Sequence, residues 1–177
     1  MVDLIQQPDT IHDYTGGGTG ANGIDGDFGT GQLSSSSGGG GSSLNVSVLS
    51  THTFSSPRTI TRVDYYLYAD ASSSGDTDNG SSASSIIETQ DATTLAWSTY
   101  TGTSLSQSNN NGGGGGSTAH ASSANPASVS LTVSNVIAIR ARATAAAFTN
   151  GGGSTSASCG VYEIQAYGEL GGFGLVI

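Results

Sequence analysis

An all-β fold, an antiparallel β-sandwich (jelly roll) with long Gly/Ser-rich loops, is what this sequence predicts, on three observations. Apolar residues are scarce, 34% of 177, yet they cluster in short runs that alternate or are β-branched. Strand side chains point to alternate faces, so such runs read as half-buried strands. No run shows the 3.6-residue period of an amphipathic helix and no strand–helix–strand alternation occurs, which leaves sheet packed on sheet. The runs are separated by Gly-, Ser- and Thr-rich stretches, with 28 Gly in all, too poor in apolar surface to pack and suited to loops.

The elements follow in order. Residues 1–19 read as an N-terminal arm, in which Leu4-Ile5 offers a docking strand and His12 is a solvated loop residue. The sandwich spans 20–168, and 169–177 is a Gly-rich tail. After an acidic loop, 34–43 is Ser/Gly low complexity with no packing power. Leu44-Asn45-Val46-Ser47-Val48-Leu49 alternates with period two, and Ser55-Ser56-Pro57-Arg58 reads as a turn.

Residues 59–70 make the strongest strand, β-branched and aromatic with no Gly or Pro. Val63, Tyr65, Leu67 and Ala69 share one face; Arg62, Asp64, Tyr66 and Tyr68 share the other. Tyr66 and Tyr68 are expected to pack across strands rather than to serve as a sugar-stacking platform. Residues 71–85 form a polar loop whose Asp76-Thr77-Asp78-Asn79-Gly80 lacks the bidentate Glu of an EF-hand. Segments 85–90 and 95–100 form a hairpin around a turn at 91–94, with Trp97 filling the core or a sheet end. The longest insertion, 106–125, holds His120. Strands 127–133 and 136–143 follow. On the second, Arg140 and Arg142 share a side and are expected to pair with Asp64 and Glu88. A loop at 151–158 precedes the last strand, 161–168, which carries Glu163.

Charge removes several classes of function. Lys is absent, Arg58, Arg62, Arg140 and Arg142 are the only strong bases, and the net charge is −9. No basic patch can neutralise a run of phosphates, so nucleic acid and anionic membrane surfaces are not expected partners. No apolar run reaches membrane-spanning length. The lone Cys159 allows no intramolecular disulfide and no Cys-based zinc site, and reads as a small buried residue. There is no G-x-S-x-G, H-E-x-x-H or P-loop, so an enzyme is not expected. The N-terminal stretch lacks the basic and apolar regions of a signal peptide. A virion or extracellular location is expected, with release of a virus particle by lysis as one route outward.

Ala21-Asn22-Gly23-Ile24-Asp25-Gly26-Asp27-Phe28-Gly29-Thr30 is the most chemically loaded stretch. Glycine permits the φ > 0 turns that aim side-chain oxygens and carbonyls at one point. Calcium takes about 6–8 such oxygens. From these residues alone, an acidic surface turn and a cation loop both stand.

Three pieces in order, 21–27 with Thr30, the apolar strand 60–67, and 136–140 with the closing strand 161–168, resemble the galactose-binding-like jelly roll. This is the discoidin-type or coagulation-factor C-type domain shared with many carbohydrate-binding modules. Its opening has the form A-x-N-A-I-D-G-D-x-x-T-x-W and its last strand E-I-x-x-Y-G; here Glu163-Ile164-Gln165-Ala166-Tyr167-Gly168 matches the latter. The resemblance implies a calcium site with Asp27, Thr30 and Glu163 as side-chain ligands, assisted by Asp25 and by carbonyls of Ala21 and Asn22. Closing the chain between Asp27 and Glu163 costs roughly 4 kcal/mol of loop entropy, which pairing of the terminal strands offsets. The family's Trp is replaced by Gly31-Gln32, and its cysteine pair is missing.

Two functions are expected. The first is a structural or adhesion subunit of a virion, such as a decoration, fibre or host-attachment protein, docking through its chain ends on other subunits or on itself as a homo-oligomer. The alternative is a stand-alone extracellular carbohydrate-binding module that recognises cell-surface glycan.

Overall fold

A computed structural model describes residues 2–15, 32–39, 43–74, 79–99, 105–106, 116–120, 127–149 and 152–169. Every element there is a strand: β1 (Val2–Asp3), β2 (Thr10–Thr15), β3 (Gln32–Gly38), β4 (Ser43–Ser74), β5 (Asn79–Asp91), β6 (Trp97–Thr99), β7 (Leu105–Ser106), β8 (Gly116–His120), β9 (Ala127–Thr149) and β10 (Ser154–Glu169). All pairings are antiparallel, along a path β1-β10-β4-β9-β5-β6.

The long strands β4 and β9 each serve two layers. In the front layer the second half of β4 lies between β10 and the start of β9, with Tyr167↔Arg62↔Ser130 in register. In the back layer the first half of β4 lies between β2 and the rest of β9, which in turn pairs β5. The change of layer falls where the β4–β9 ladder breaks, between Thr53 and Arg62. Pro57, without an N–H to donate, sits inside that break, and Asn135 takes φ 61° on the partner strand.

The core lies between the layers. At one end it is bulky, with Leu4, Ile5, Phe54, Ile60, Val63, Tyr65 and Ile164. Toward the other it thins to Ala69, Ala71, Ala141, Ala143, Ala145, Ala147, Ala157 and Cys159. Cys159 is fully buried as expected; burial pushes its thiol up to about 11, against smaller lowering by the Val48 and Ala145 amides. Gly168 marks a close crossing: a Cβ there would lie 1.8 Å from the Thr59 carbonyl oxygen.

Several sequence expectations change. Of the polar loop expected over 71–85, residues 71–74 continue β4 beside β10 and 79–85 belong to β5 beside β9, since backbone pairing needs no apolar side chains. Residues 55–58, read as a turn, continue β4 through the break. The Ser-rich stretch 34–38 and residues 154–158, read as loops, are strands paired with each other, because a backbone ladder needs no apolar side chains. The segment around His120 is strand β8, paired to β4. Residues 2–15, read as an arm, carry their docking strand onto β10 and a second strand onto β4. Leu4 and Ile5 are fully buried, Thr10 Oγ1 donates to the Leu4 carbonyl at 2.9 Å, and Arg58 pairs with Asp9.

Candidate functional site

Glu163 owes its position to a bulge. Val161 pairs with Leu67 and Glu163 with Tyr66, leaving Tyr162 as the extra residue. Val161 and Ile164 therefore stay in the core on either side, while Tyr162 and Glu163 both face Tyr66. Glu163 has no exposed surface, and its Oε1 receives Gln165 Nε2 at 3.5 Å.

The other expected calcium ligands, Ala21, Asn22, Asp25, Asp27 and Thr30, lie outside the described residues. The strands flanking them converge on Glu163. Thr15, opposite Leu49, ends β2 one residue past Tyr14; Gln32 begins β3 opposite Val161. Tyr14 is pushed up to about 12 by burial and then by the Glu163 carboxylate, and its buried hydroxyl has no hydrogen-bond partner among the described residues. No group of three His, Cys, Asp or Glu side chains among the described residues could hold a metal by itself.

Beside Tyr14 lies a pair that the sequence did not reveal. His12 Nδ1 and His52 Nδ1 are 2.9 Å apart, and His52 Nε2 is 2.9 Å from Ser50 Oγ. One imidazole must donate and the other accept, so the bond exists only while the accepting ring is neutral. Burial, then His12, drives His52 down to about 3; burial lowers His12. His12 is thus half-buried on a strand and not a solvated loop residue. The alternating Thr10-Ile11-His12-Asp13-Tyr14 was the available signal. Ser50 and His52 have the spacing of a nucleophile and its base, but both are fully enclosed and read as a structural bond.

The outer face of the front layer gathers a different set. Tyr66 and Tyr162 stack at 4.3 Å with an interplanar angle of 12°. Arg62 lies 4.2 Å over the Tyr167 ring, and its guanidinium is 3.1 Å from Asp64 Oδ2. Between the two stacks, Ser128 Oγ donates to Asp64 Oδ1 at 2.6 Å and the Tyr167 hydroxyl donates to Gln165 Oε1 at 2.6 Å. Asp3 stands opposite Tyr167 on β1, its carboxyl raised by burial, with Asp64 adding to the rise and the amides of Ile5, Ala166 and Gln6 opposing it. Tyr66 does pack across strands, as expected; the Tyr68 side chain lies outside the description.

On the back layer Arg140 pairs with Glu88 as expected, Nε to Oε2 at 2.6 Å, and lies 3.9 Å over Trp97. Asp64 pairs instead with Arg62, two residues along its own strand, because it lies in the front layer whereas Arg142 stands between Leu49 and Ile86 in the back layer. A shallow pocket of about 70 Å³ beside Phe148 falls well below the roughly 300 Å³ at which ligand pockets begin.

The sequence matches no family model and no curated protein. Solved structures that are similar over 91% of this chain include two carbohydrate-binding modules. One, a pectin-binding carbohydrate-binding module, is 12% identical with a TM-score of 0.43 and 91% of its own chain covered. The other, a carbohydrate-binding module from a family 31 glycoside hydrolase of Clostridium perfringens, is 17% identical with a TM-score of 0.46 and 92% covered. Likeness at this level carries no weight for ligand or mechanism, which rest on this chain's own residues.

Proposed function

We propose that this chain is a non-enzymatic carbohydrate-binding module acting outside the cell, with the outer face of its front layer as the glycan-contacting surface. The observation that carries the reading is the pairing of two ring stacks, Tyr66–Tyr162 and Arg62–Tyr167, with hydrogen-bonding groups of Asp64, Gln165 and Ser128 between them. Sugar rings offer apolar C–H faces and rims of hydroxyls. Tyr provides area at low entropic cost with a polar tip, and carboxylate and amide groups fix orientation. In affinity electrophoresis through immobilised neutral polysaccharides the chain should be retarded. Tyr66→Ala should lose about ten-fold in affinity while still melting cooperatively. Unchanged retardation in that variant would count against this face.

We infer further that calcium ties the acidic loop to the last strand, held by Asp25, Asp27, Thr30 and Glu163 with carbonyls of Ala21 and Asn22. Support comes from the buried Glu163 carboxylate, the orphaned Tyr14 hydroxyl beside it, and the flanking strands that bring the loop's ends there. Saturating calcium should then stabilise the fold by about 2.7 kcal/mol at one hundred times Kd, and Glu163→Gln should remove the response. Melting that is identical with and without chelator would rule the ion out.

The structural-subunit reading, first on sequence grounds, is placed second, because the arm it would use for docking packs on this chain's own sandwich. What favours it is Ile11, 71% exposed on β2, whose one strand partner among the described residues is β4, a place where another copy or a particle surface can pair. Concentration-dependent mass in solution would bring it forward.

A further inference from the structure

We propose that the front face takes an uncharged, linear glycan segment of about three sugar rings, laid along β4 and β10; this rests on the saccharide-binding reading above. Strand spacing sets the length. Arg62 and Tyr66 are four residues apart on β4, so the two ring stacks stand about 13 Å apart along the strands. Across the strands each stack is only one inter-strand step wide, about 4.8 Å. A single sugar ring on one stack leaves the other solvated. A chain following the strands covers both and brings a middle ring over Asp64, Gln165 and Ser128. There ring hydroxyls can donate to the Asp64 carboxylate, to the Gln165 carbonyl oxygen and to Ser128 Oγ, whose own hydrogen is given to Asp64.

Charge sets the class. The face carries the carboxylates of Asp3 and Asp64, with Glu163 buried at the Tyr66 end, against the single guanidinium of Arg62, which Asp64 already engages. The whole chain has net charge −9. A uronate or sulfate brought against Asp64 meets like charge in a partly dehydrated site, and Arg62 has no free countercharge for it. Sugar hydroxyls meet no such penalty.

The test is calorimetric titration of the full chain with gluco-, manno- and galacto-oligosaccharides of one to six rings, and with polygalacturonate, in low and high salt. In at least one neutral series affinity should rise about ten-fold or more between one ring and three, then level off, and polygalacturonate should not bind. Tyr66→Ala and Tyr167→Ala should each flatten the length dependence, whereas Tyr66→Phe, which keeps the stack, should retain it. Asp64→Asn, which removes the charge and keeps the shape, should admit polygalacturonate weakly. Binding already complete at one ring, or polygalacturonate bound as tightly as a neutral chain, overturns this inference and leaves the saccharide-binding function standing. A three-ring dependence untouched by either Tyr→Ala variant puts the glycan elsewhere and also overturns it. No binding in any of the neutral series overturns the function and the inference together.

Discussion

The two outer faces of the sandwich use the same three ingredients and finish them differently. On the back, Arg140 lies over Trp97 and gives Nε to Glu88 at 2.6 Å, while Thr99 Oγ1 donates to the other Glu88 oxygen at 3.3 Å. The side chains of Arg140 and Glu88 are 24% and 8% exposed. Burial raises the Glu88 carboxyl, but the bond and charge of Arg140 outweigh it and hold the group below its ordinary value. That cluster is closed on itself. On the front, Arg62 lies over Tyr167 and its side chain is 40% exposed. Its contact with Asp64 is looser, at 3.1 Å; Asp64 Oδ1 and Gln165 Oε1 each accept one hydrogen bond from a neighbour and retain a further lone pair, and the stacked Tyr66 and Tyr162 are half-buried. A cation–aromatic–carboxylate triad is therefore not diagnostic by itself. What separates staple from site is how far solvent reaches it: the Arg62 and Asp64 side chains are 40% and 17% exposed, against 24% and 8% for Arg140 and Glu88.

Four outcomes break or sharpen that contrast. The largest effect is expected at Gly168→Ala, at the foot of the front layer. With a Cβ 1.8 Å from the Thr59 carbonyl, β10 must part from β4, costing roughly 3 kcal/mol or more; thermal melting checks it. Next comes Glu88→Ala, which leaves the Arg140 guanidinium uncompensated. A loss of about 2 kcal/mol is expected, below the full penalty of a buried pair because Arg140 is partly exposed. Asp64→Ala on the front should cost less, about 1 kcal/mol, because its partner Arg62 is 40% exposed and is re-solvated when Asp64 is removed. Urea denaturation of the two variants decides, and equal losses would erase the distinction between the faces.

The third effect is acid sensitivity at the β2 edge of the back layer. His52 and His12 have folded values below the unfolded 6.5. Their contribution is complete above that value and is lost as pH falls below it, since the unfolded chain then binds protons the folded one refuses. If His52 responds alone, stability should fall by up to about 2 kcal/mol between pH 6.5 and 5, above the range where ordinary carboxylates titrate. His52→Gln should flatten the profile, and a wild-type melting point constant over this interval would contradict it. A similarly small stability effect is expected at Tyr162→Ala, about 1 kcal/mol for the lost stack, although the same change should remove most glycan binding.

Much of the fold was legible, because period-two alternation over 63–67 and 164–168 reports burial directly. So was the placement of Val63, Tyr65 and Leu67 in the core, and the pairing of Arg140 with Glu88. What escaped depends on register. The Ser residues at 34–37 form a strand because their backbone pairs with β10, and nothing in their side chains signals it. Tyr66 meets Tyr162 only because a bulge inserts one residue between Val161 and Glu163, and a one-residue shift changes which side chains share a face. His12 and His52 are 40 residues apart and meet only when β2 docks on β4.

The measurement that tests the account most directly is a side-by-side titration of wild type, Tyr162→Ala and Trp97→Ala with the same neutral trisaccharide. Wild type and Trp97→Ala should bind alike, while Tyr162→Ala loses about ten-fold or more with its fold intact. Equal binding by Tyr162→Ala, or loss confined to Trp97→Ala, would contradict the assignment of the front face as the site.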